Sequence, residues 1–386
     1  MASCSDSGSP GGSPALLSAR ADLPPEPAPS ATAAAQEAET EPDVDLDTMI
    51  GQMFMVGFRG LTAGEDHPIV DDIRHRALGG VVLFDYDVSN GEFKRNIASP
   101  DQVRGLTESL QSAARIPLLI SIDQEGGKVA RLHERYGFGA TLSHQALGEI
   151  DDVETTFERA REIARTLKSV GVNHNLAPVV DVNVNPESPA IGAFGRSFGS
   201  EVQQVVRHAA AYVRAHREEG IITTLKHFPG HGSARDDSHR GFVDVSETWN
   251  RLELEPYASL IEQNLTDSIM TAHVFNRTWD ESEPATLSRA VMTDLLREEL
   301  GYDGVIISDD IQMAAIRSFY SFEDAIRRSV EAGVDVIAIA NNSVYEEDVV
   351  RRGVGIMKGL VGDGVVTTAR IQESYQRIQM LKSRLL

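Results

Sequence analysis

Side chains that could bind a substrate and move protons are concentrated in one stretch of the sequence. An apolar run, residues 220–225, precedes Lys226 and His227 and predicts a buried strand that ends in two hydrogen-bonding side chains. The proline and glycines that follow exclude a helix, so the next segment is a loop. Asp237 and His239 lie two residues apart in this loop. A carboxylate at this spacing can hold the imidazole in one tautomer and shift its pKa, as a proton-transfer group requires.

A zinc site is the main alternative for this stretch, because His227, His231, Asp237 and His239 are all possible ligands. The His-x-x-x-His spacing of zinc proteases depends on a helix that places both rings on one face. Pro229 breaks that geometry here. The sequence therefore favours a catalytic loop over a metal site, and also over a surface turn without a chemical role.

Eight apolar runs separated by amphipathic segments follow residue 45 and predict strands that alternate with helices. Strands of this kind need cover on both faces, which a closed parallel barrel provides. We therefore predict a single-domain (β/α)8 barrel of the TIM type over residues 45–386. The predicted strands are residues 51–58, 79–84, 117–123, 172–182, 221–228, 268–274, 304–310 and 335–340. The predicted helices are residues 100–114, 153–170, 201–219, 248–264, 288–300, 322–332, 346–360 and 368–386.

Five of the eight predicted strands end in a charged residue or a histidine. In chain order these residues are Asp123, Asp181, Lys226 with His227, His273, and Asp309 with Asp310. The carboxyl ends of barrel strands form the active face of this architecture, so the side chains are expected to meet there.

A strand-borne carboxylate and a separate, movable proton donor form the arrangement of a retaining glycosidase, which normally uses two carboxylates. Here the seventh strand would supply the nucleophile and the loop histidine would replace the acid carboxylate. Lys226, His227, Asp123 and Arg131 would then bind sugar hydroxyls. The sequence contains no phosphate-binding loop of the dinucleotide or P-loop type, and the segment Glu125-Gly126-Gly127 is predicted to be a turn.

The net charge of −22 argues against nucleic acid or an anionic membrane surface as a partner, since both need clustered cations. No apolar run approaches the roughly 20 residues that span a bilayer. The single cysteine, Cys4, excludes an intrachain disulfide.

Residues 1–44 are rich in Ser, Pro, Ala, Gly and Glu and are predicted to be a disordered tether, because they have too few large apolar side chains to form a core. Small residues precede Cys4 and a polar linker follows it, a pattern similar to the lipid-attachment site of bacterial lipoproteins. A lipid anchor at Cys4 would place the protein in the cell envelope. The alternative is a chance cysteine in a disordered tail, and both interpretations stay open.

The chain resembles the single-domain bacterial β-N-acetylglucosaminidases of glycoside hydrolase family 3 over residues 46–386. The matching segments occur in the order expected for that family. They are residues 50–53 (IGQM), 122–132 (IDQEGGKVARL), 177–182 (APVVDV), 195–198 (GRSF), 226–232 (KHFPGHG) with the Asp-Ser-His that follows, 270–274 (MTAHV) and 308–310 (SDD).

The resemblance implies a covalent mechanism without metal or cofactor, acting on an oligosaccharide or a muropeptide from peptidoglycan. By position, the nucleophile falls on Asp309, the acid/base on His239, and its carboxylate partner on Asp237. Substrate contacts fall on Asp123, Arg131, Arg196, Lys226 and His227. Asp310 and Asp236 adjoin the assigned residues, and chain position alone does not separate them. Lys128 stands where many relatives carry arginine.

Two other functions stay open within this resemblance. Some relatives with a histidine acid/base are similar enough to act as N-acetylglucosaminide phosphorylases, which use phosphate in place of water. A non-catalytic binding protein on the same fold would be expected to lose the nucleophile or the loop histidine, and this sequence keeps both. We expect the protein to be a monomer whose acid/base comes from the barrel loop.

Overall fold

The computed structural model describes residues 44–385, and its centre is a ring of eight short parallel strands. Two further strands form a small antiparallel hairpin between the second and third strands of the ring. The ring strands are β1 (Phe54–Gly57), β2 (Gly80–Leu83), β5 (Leu119–Ile122), β6 (His174–Asn175), β7 (Ile222–Phe228), β8 (Ser268–Thr271), β9 (Val305–Ile307) and β10 (Ile337–Ile339). The hairpin strands are β3 (Tyr86–Asp87) and β4 (Glu92–Phe93).

The strands pair in the order β10-β1-β2-β5-β6-β7-β8-β9, all in parallel. A bridge between Ile307 and Val336 joins β9 to the segment that leads into β10 and closes the ring. Since both faces of each strand are covered, every residue of the ring strands is buried. This closed parallel ring confirms the predicted (β/α)8 barrel.

Helices surround the ring, and most begin at a residue that caps the first turn. Asp45, Ser99, Asp152 and Ser321, for example, accept hydrogen bonds from backbone amides of the helices that follow them. The α-helices are α1 (Leu46–Gln52), α2 (Pro68–His75), α3 (Pro100–Ala113), α4 (His144–Ile150), α5 (Val153–Ser169), α6 (Val202–Glu218), α7 (Glu255–Glu262), α8 (Ala314–Arg317), α9 (Phe322–Ala332), α10 (Val349–Gly362) and α11 (Thr368–Lys382). A π-helix spans Ala290–Glu299, and 3₁₀ turns span Glu134–Tyr136, Gly192–Phe194, Arg251–Leu254, Ala285–Leu287 and Ser383–Leu385.

Several predicted boundaries were wrong. The first predicted strand, residues 51–58, starts inside α1, because the Asp45 cap begins a helix that continues to Gln52. The fourth, residues 172–182, has only two strand residues before Pro178, which has no amide hydrogen to donate to a neighbouring strand. The predicted helix over residues 288–300 is a π-helix.

The predicted tether, apart from residue 44, lies outside the described residues, as does Cys4. Within residues 44–385, no helix has the length and apolar character that crossing a membrane would need.

Candidate active site

The carboxyl ends of the ring strands open into a cavity of about 510 Å³. Every residue to which the sequence assigned a catalytic or substrate-binding role lines this cavity, although the residues come from distant parts of the chain. They are Asp123, Arg131, Arg196, Lys226, His227, Asp237, His239 and Asp309. The strand-end residues Asp181 and His273 are buried and do not line it.

Two carboxylates and three cations form a continuous network on one side of the cavity. The Lys226 ammonium, which is almost fully buried, lies 2.7 Å from an oxygen of Asp123 and 2.7 Å from an oxygen of Glu125. The Arg196 guanidinium donates two hydrogen bonds to Glu125, at 2.9 and 2.7 Å. Arg131 donates to the other oxygen of Asp123 at 3.3 Å. Each group therefore holds at least one other in place.

The network keeps its acids ionised although they are buried. Burial opposes ionisation of Asp123, but Lys226 and Arg131 lower its pKa to about 2. Burial likewise opposes ionisation of Glu125, whereas Arg196 and Lys226 hold its pKa well below the usual range. The result is a charged surface with fixed hydrogen-bonding directions, suited to polar hydroxyl groups.

His227 is held in one tautomer by its neighbours. The guanidinium of Arg196 has only donors, so its contact of 3.2 Å makes Nε2 of His227 an acceptor. The proton therefore lies on Nδ1, which donates to Asp181 at 2.8 Å. Asp181 also accepts a hydrogen bond from the backbone amide of His231 at 2.8 Å, so the same carboxylate positions the start of the following loop.

The structure distinguishes Asp309 from Asp310, which adjoin in the sequence. Asp310 uses Oδ1 to accept the backbone amides of Gln312 and Ala340, and burial raises its pKa to about 6. Burial opposes ionisation of Asp309, but His273, His239 and a hydrogen bond from the backbone amide of Asp310 hold its pKa below the usual value. Both residues line the cavity, but Asp310 braces the strand ends, whereas the surroundings of Asp309 favour its ionised form.

The loop that follows β7 carries the second reactive pair. Nδ1 of His239 donates to Asp237 at 2.9 Å, and the backbone amide of His239 donates to the same oxygen at 3.0 Å. This hydrogen bond, together with the charge of Asp309, raises the pKa of His239 against an opposing effect of burial. The imidazole side chain is 64% exposed, so its Nε2 is accessible for proton transfer. Asp236 is exposed and does not line the cavity.

Sequence reasoning missed one residue of this site and did not recognise the role of another. The segment Glu125-Gly126-Gly127 does turn, with φ of 110° at Gly126, but Glu125 itself is buried and neutralises Lys226 and Arg196. Asp181 was identified only as a strand end. Buried cations need a carboxylate partner, but only the structure shows that Lys226 and Arg196 are buried beside Glu125.

The zinc alternative finds no support in the contacts of the proposed ligands. Within residues 44–385, no three His, Cys, Asp or Glu side chains are arranged to hold a metal ion. Both ring nitrogens of His227 are occupied by Asp181 and Arg196, and His231 directs Nε2 to Ser238 at 3.2 Å. His227 and His231 are therefore held by hydrogen bonds to other side chains of the protein.

Similarity to known proteins agrees with this arrangement. Residues 45–381 match the N-terminal domain of glycosyl hydrolase family 3. A β-hexosaminidase of Xylella fastidiosa is 35% identical over 328 residues, which cover 81% of this chain and 92% of that protein. β-Hexosaminidase A of Pseudoalteromonas piscicida is 36% identical over 332 residues, covering 76% of this chain and 54% of that protein.

A solved structure shows the same barrel. The family 3 β-N-acetylglucosaminidase of a Paenibacillus species superposes with a TM-score of 0.81 at 36% identity. That alignment covers 89% of this chain and 63% of the Paenibacillus chain. The present chain therefore spans less than two thirds of the length of the Paenibacillus and Pseudoalteromonas proteins. The matched domain, the identities and the shared barrel together show that the chain belongs to glycosyl hydrolase family 3.

Proposed function

We propose that the protein is a retaining β-N-acetylglucosaminidase, which removes terminal β-linked N-acetylglucosamine through a covalent glycosyl-aspartate. The main support for this proposal is that the carboxylate of Asp309, whose ionised form is favoured, lines the same cavity as the hydrogen-bonded pair of His239 and Asp237. Relatives of this chain are named β-hexosaminidases and β-N-acetylglucosaminidases, which supports the choice of sugar.

In the first step, Asp309 attacks the anomeric carbon while the bond to the leaving group breaks. His239 donates a proton from Nε2 to the departing oxygen, and Asp237 stabilises the imidazolium from the other side of the ring. The raised pKa of His239 keeps a larger fraction protonated near neutral pH than an isolated imidazole would have.

In the second step, the now neutral His239 removes a proton from water, which attacks the anomeric carbon and releases Asp309. A histidine suits this double role because it adds no negative charge beside Asp309, whereas a second carboxylate would push the two pKa values apart. The network of Asp123, Lys226 and Arg196 would hold the sugar hydroxyls during both steps.

The cavity also supports a peptidoglycan fragment as substrate. Lys128 and Arg317 line it, and in residues 44–385 no carboxylate forms an ion pair with either side chain. Cations of this kind suit an aglycone that carries a carboxylate, as a muropeptide does, better than a neutral chitin fragment.

The test is covalent labelling by a slow 2-deoxy-2-fluoro sugar, followed by peptide mass spectrometry. We expect the label on Asp309, and Asp309→Asn should lose about 10³-fold or more in kcat. Asp310→Asn is the matched control, because an amide oxygen can still accept the backbone amides of Gln312 and Ala340. A label on Asp310 would contradict the assigned nucleophile. So would an enzyme that takes up no label and keeps its full rate of turnover in the presence of the fluoro sugar. Added phosphate that raised the rate and gave a sugar 1-phosphate would identify a phosphorylase instead.

A further inference from the structure

The base of the loop that carries Asp237 and His239 rests on a buried acid, Glu253. This residue belongs to the 3₁₀ turn before α7 and is fully buried. Its Oε2 accepts the backbone amides of Gly232 at 3.0 Å and Ser233 at 3.3 Å. These two amides lie directly after the segment that Asp181 positions, so Glu253 holds the next part of the loop.

The second oxygen of Glu253 has no hydrogen-bond partner among the described residues. Oε1 is buried, and so is the hydroxyl of Tyr257, which also has no partner within residues 44–385. A buried carboxylate would leave a negative oxygen unsatisfied at high cost. A neutral carboxylic acid carries no charge, so it can leave Oε1 without a partner at a lower cost.

The surroundings of Glu253 favour the same protonation state. The groups that face it are the Asp181 carboxylate, from the segment after β6, Tyr257 of α7, and Ser233 of the loop itself. Burial raises the pKa of Glu253 to about 7, and the charge of Asp181 adds to this rise while the hydrogen bonds from Ser233 and Gly232 oppose it.

We propose that Glu253 is a positioning residue which, as a neutral acid, holds the base of the catalytic loop and releases it when it loses its proton. The geometry of one oxygen bound to two loop amides and one oxygen buried without a donor supports this role. The ionised form would draw water to Oε1 and repel Asp181, which loosens the segment 230–233 and displaces His239. The inference rests on the proposed function, since it concerns the loop that bears the acid/base.

The chain contains a natural reporter for this motion. The indole Nε1 of Trp249 donates to the carbonyl of Pro229, at the start of the loop, at 3.0 Å. The sequence has two tryptophans, so Trp279→Phe leaves Trp249 as the only one. In this background we expect the fluorescence of Trp249 to change with a midpoint near pH 7.

Glu253→Gln is the decisive variant, because its amide oxygen can still accept the two loop amides but cannot ionise. We expect the fluorescence transition to disappear, and activity at pH 6 to stay close to that of the parent. Glu253→Ala removes the support altogether, so kcat should fall about 10²-fold. The KM should change little, since Asp123, Lys226 and Arg196, which bind the sugar, lie outside residues 230–241.

Asp237 raises the pKa of His239, which is a second titratable group of this loop, so His239→Gln is measured in the same Trp279→Phe background as a control. The proposal predicts that the transition persists in His239→Gln and is lost in Glu253→Gln. A transition that survives Glu253→Gln would overturn it, as would a Glu253→Gln variant as impaired as Glu253→Ala. If the protein showed no glycosidase activity, the fluorescence result would still decide whether Glu253 controls the loop.

Discussion

Replacing Glu125 by glutamine tests whether the buried ionic network holds the active site together. The substitution keeps the shape of the side chain but removes the charge that faces both Lys226 and Arg196. Lys226 retains Asp123, and Arg196 retains the carbonyl of Ala190 at 2.9 Å. Arg196 is therefore left without a carboxylate partner in a mostly buried position.

The size of the effect follows from this burial. Removing one partner of a buried ion pair costs about 3–5 kcal/mol, mainly because a charge is left uncompensated. A folded unit of roughly 340 residues, at about 2.1 cal/mol/K per residue, has an unfolding entropy of about 0.7 kcal/mol/K near its Tm. We therefore expect Glu125→Gln to lower the Tm by about 4–7 °C.

The assay is thermal unfolding followed by circular dichroism, with KM for a nitrophenyl glycoside measured in parallel. Glu162→Gln is the matched control, because Glu162 pairs with Arg159 on the exposed surface of α5 and should change the Tm by no more than about 1 °C. The KM should rise in Glu125→Gln and stay unchanged in the control Glu162→Gln. A Tm equal to that of the control would refute the claim that this network stabilises the folded state.

Three further predictions concern protons. Asp237→Asn removes the main cause of the raised pKa of His239. In the pH profile of kcat/KM on a disaccharide, the fall in rate at alkaline pH should therefore move to lower pH. If it does not move, another group causes that fall. His239→Ala should retain the first step on nitrophenyl substrates, because a good leaving group needs no proton. It should show a burst, because the water of the second step still needs a base. Equal loss of activity on nitrophenyl substrates and on disaccharides, without a burst, would make His239 a positioning residue. Burial lowers the pKa of Lys382 from 10.5 to about 7. Between pH 7 and 10.5 the unfolded chain therefore binds more protons than the folded protein. The free energy of unfolding should rise with pH in that window. Urea titrations at pH 7 and 9 should show this rise in the parent and in Lys358→Met, which alters an exposed pair with Asp47, but a smaller rise in Lys382→Met.

The barrel was predictable because its signal is repeated along the chain. Eight apolar runs, each followed by polar residues, leave few other architectures that bury both faces of every strand. The boundaries were less predictable where one local feature decided them. A single cap at Asp45 turns the start of the first apolar run into helix, and Pro178 shortens the fourth strand.

The candidate site was predictable to the level of residue type and strand end. Asp309 and Asp310 both line the cavity, and they differ in the hydrogen bonds that Asp310 accepts from Gln312 and Ala340, which the sequence pattern does not reveal. Glu125 was missed because a glycine-flanked glutamate is typical of a turn, and only the three-dimensional approach of Lys226 and Arg196 shows its role. The roles of Asp309 and His239 themselves stay predictions until they are tested.

The loop after β7 meets the rest of the barrel mainly through its backbone. The amides of His231, Gly232 and Ser233 are held at its base, and the carbonyl of Ser238 accepts the amide of Ala315. Between these anchors Ala234 and Ser238 are buried, whereas Arg235, Asp236, His239 and Arg240 are exposed. The exposed positions of residues 234–241 can therefore be varied to change the proton donor or the preferred acceptor, while Asp309 and the sugar-binding network stay unchanged.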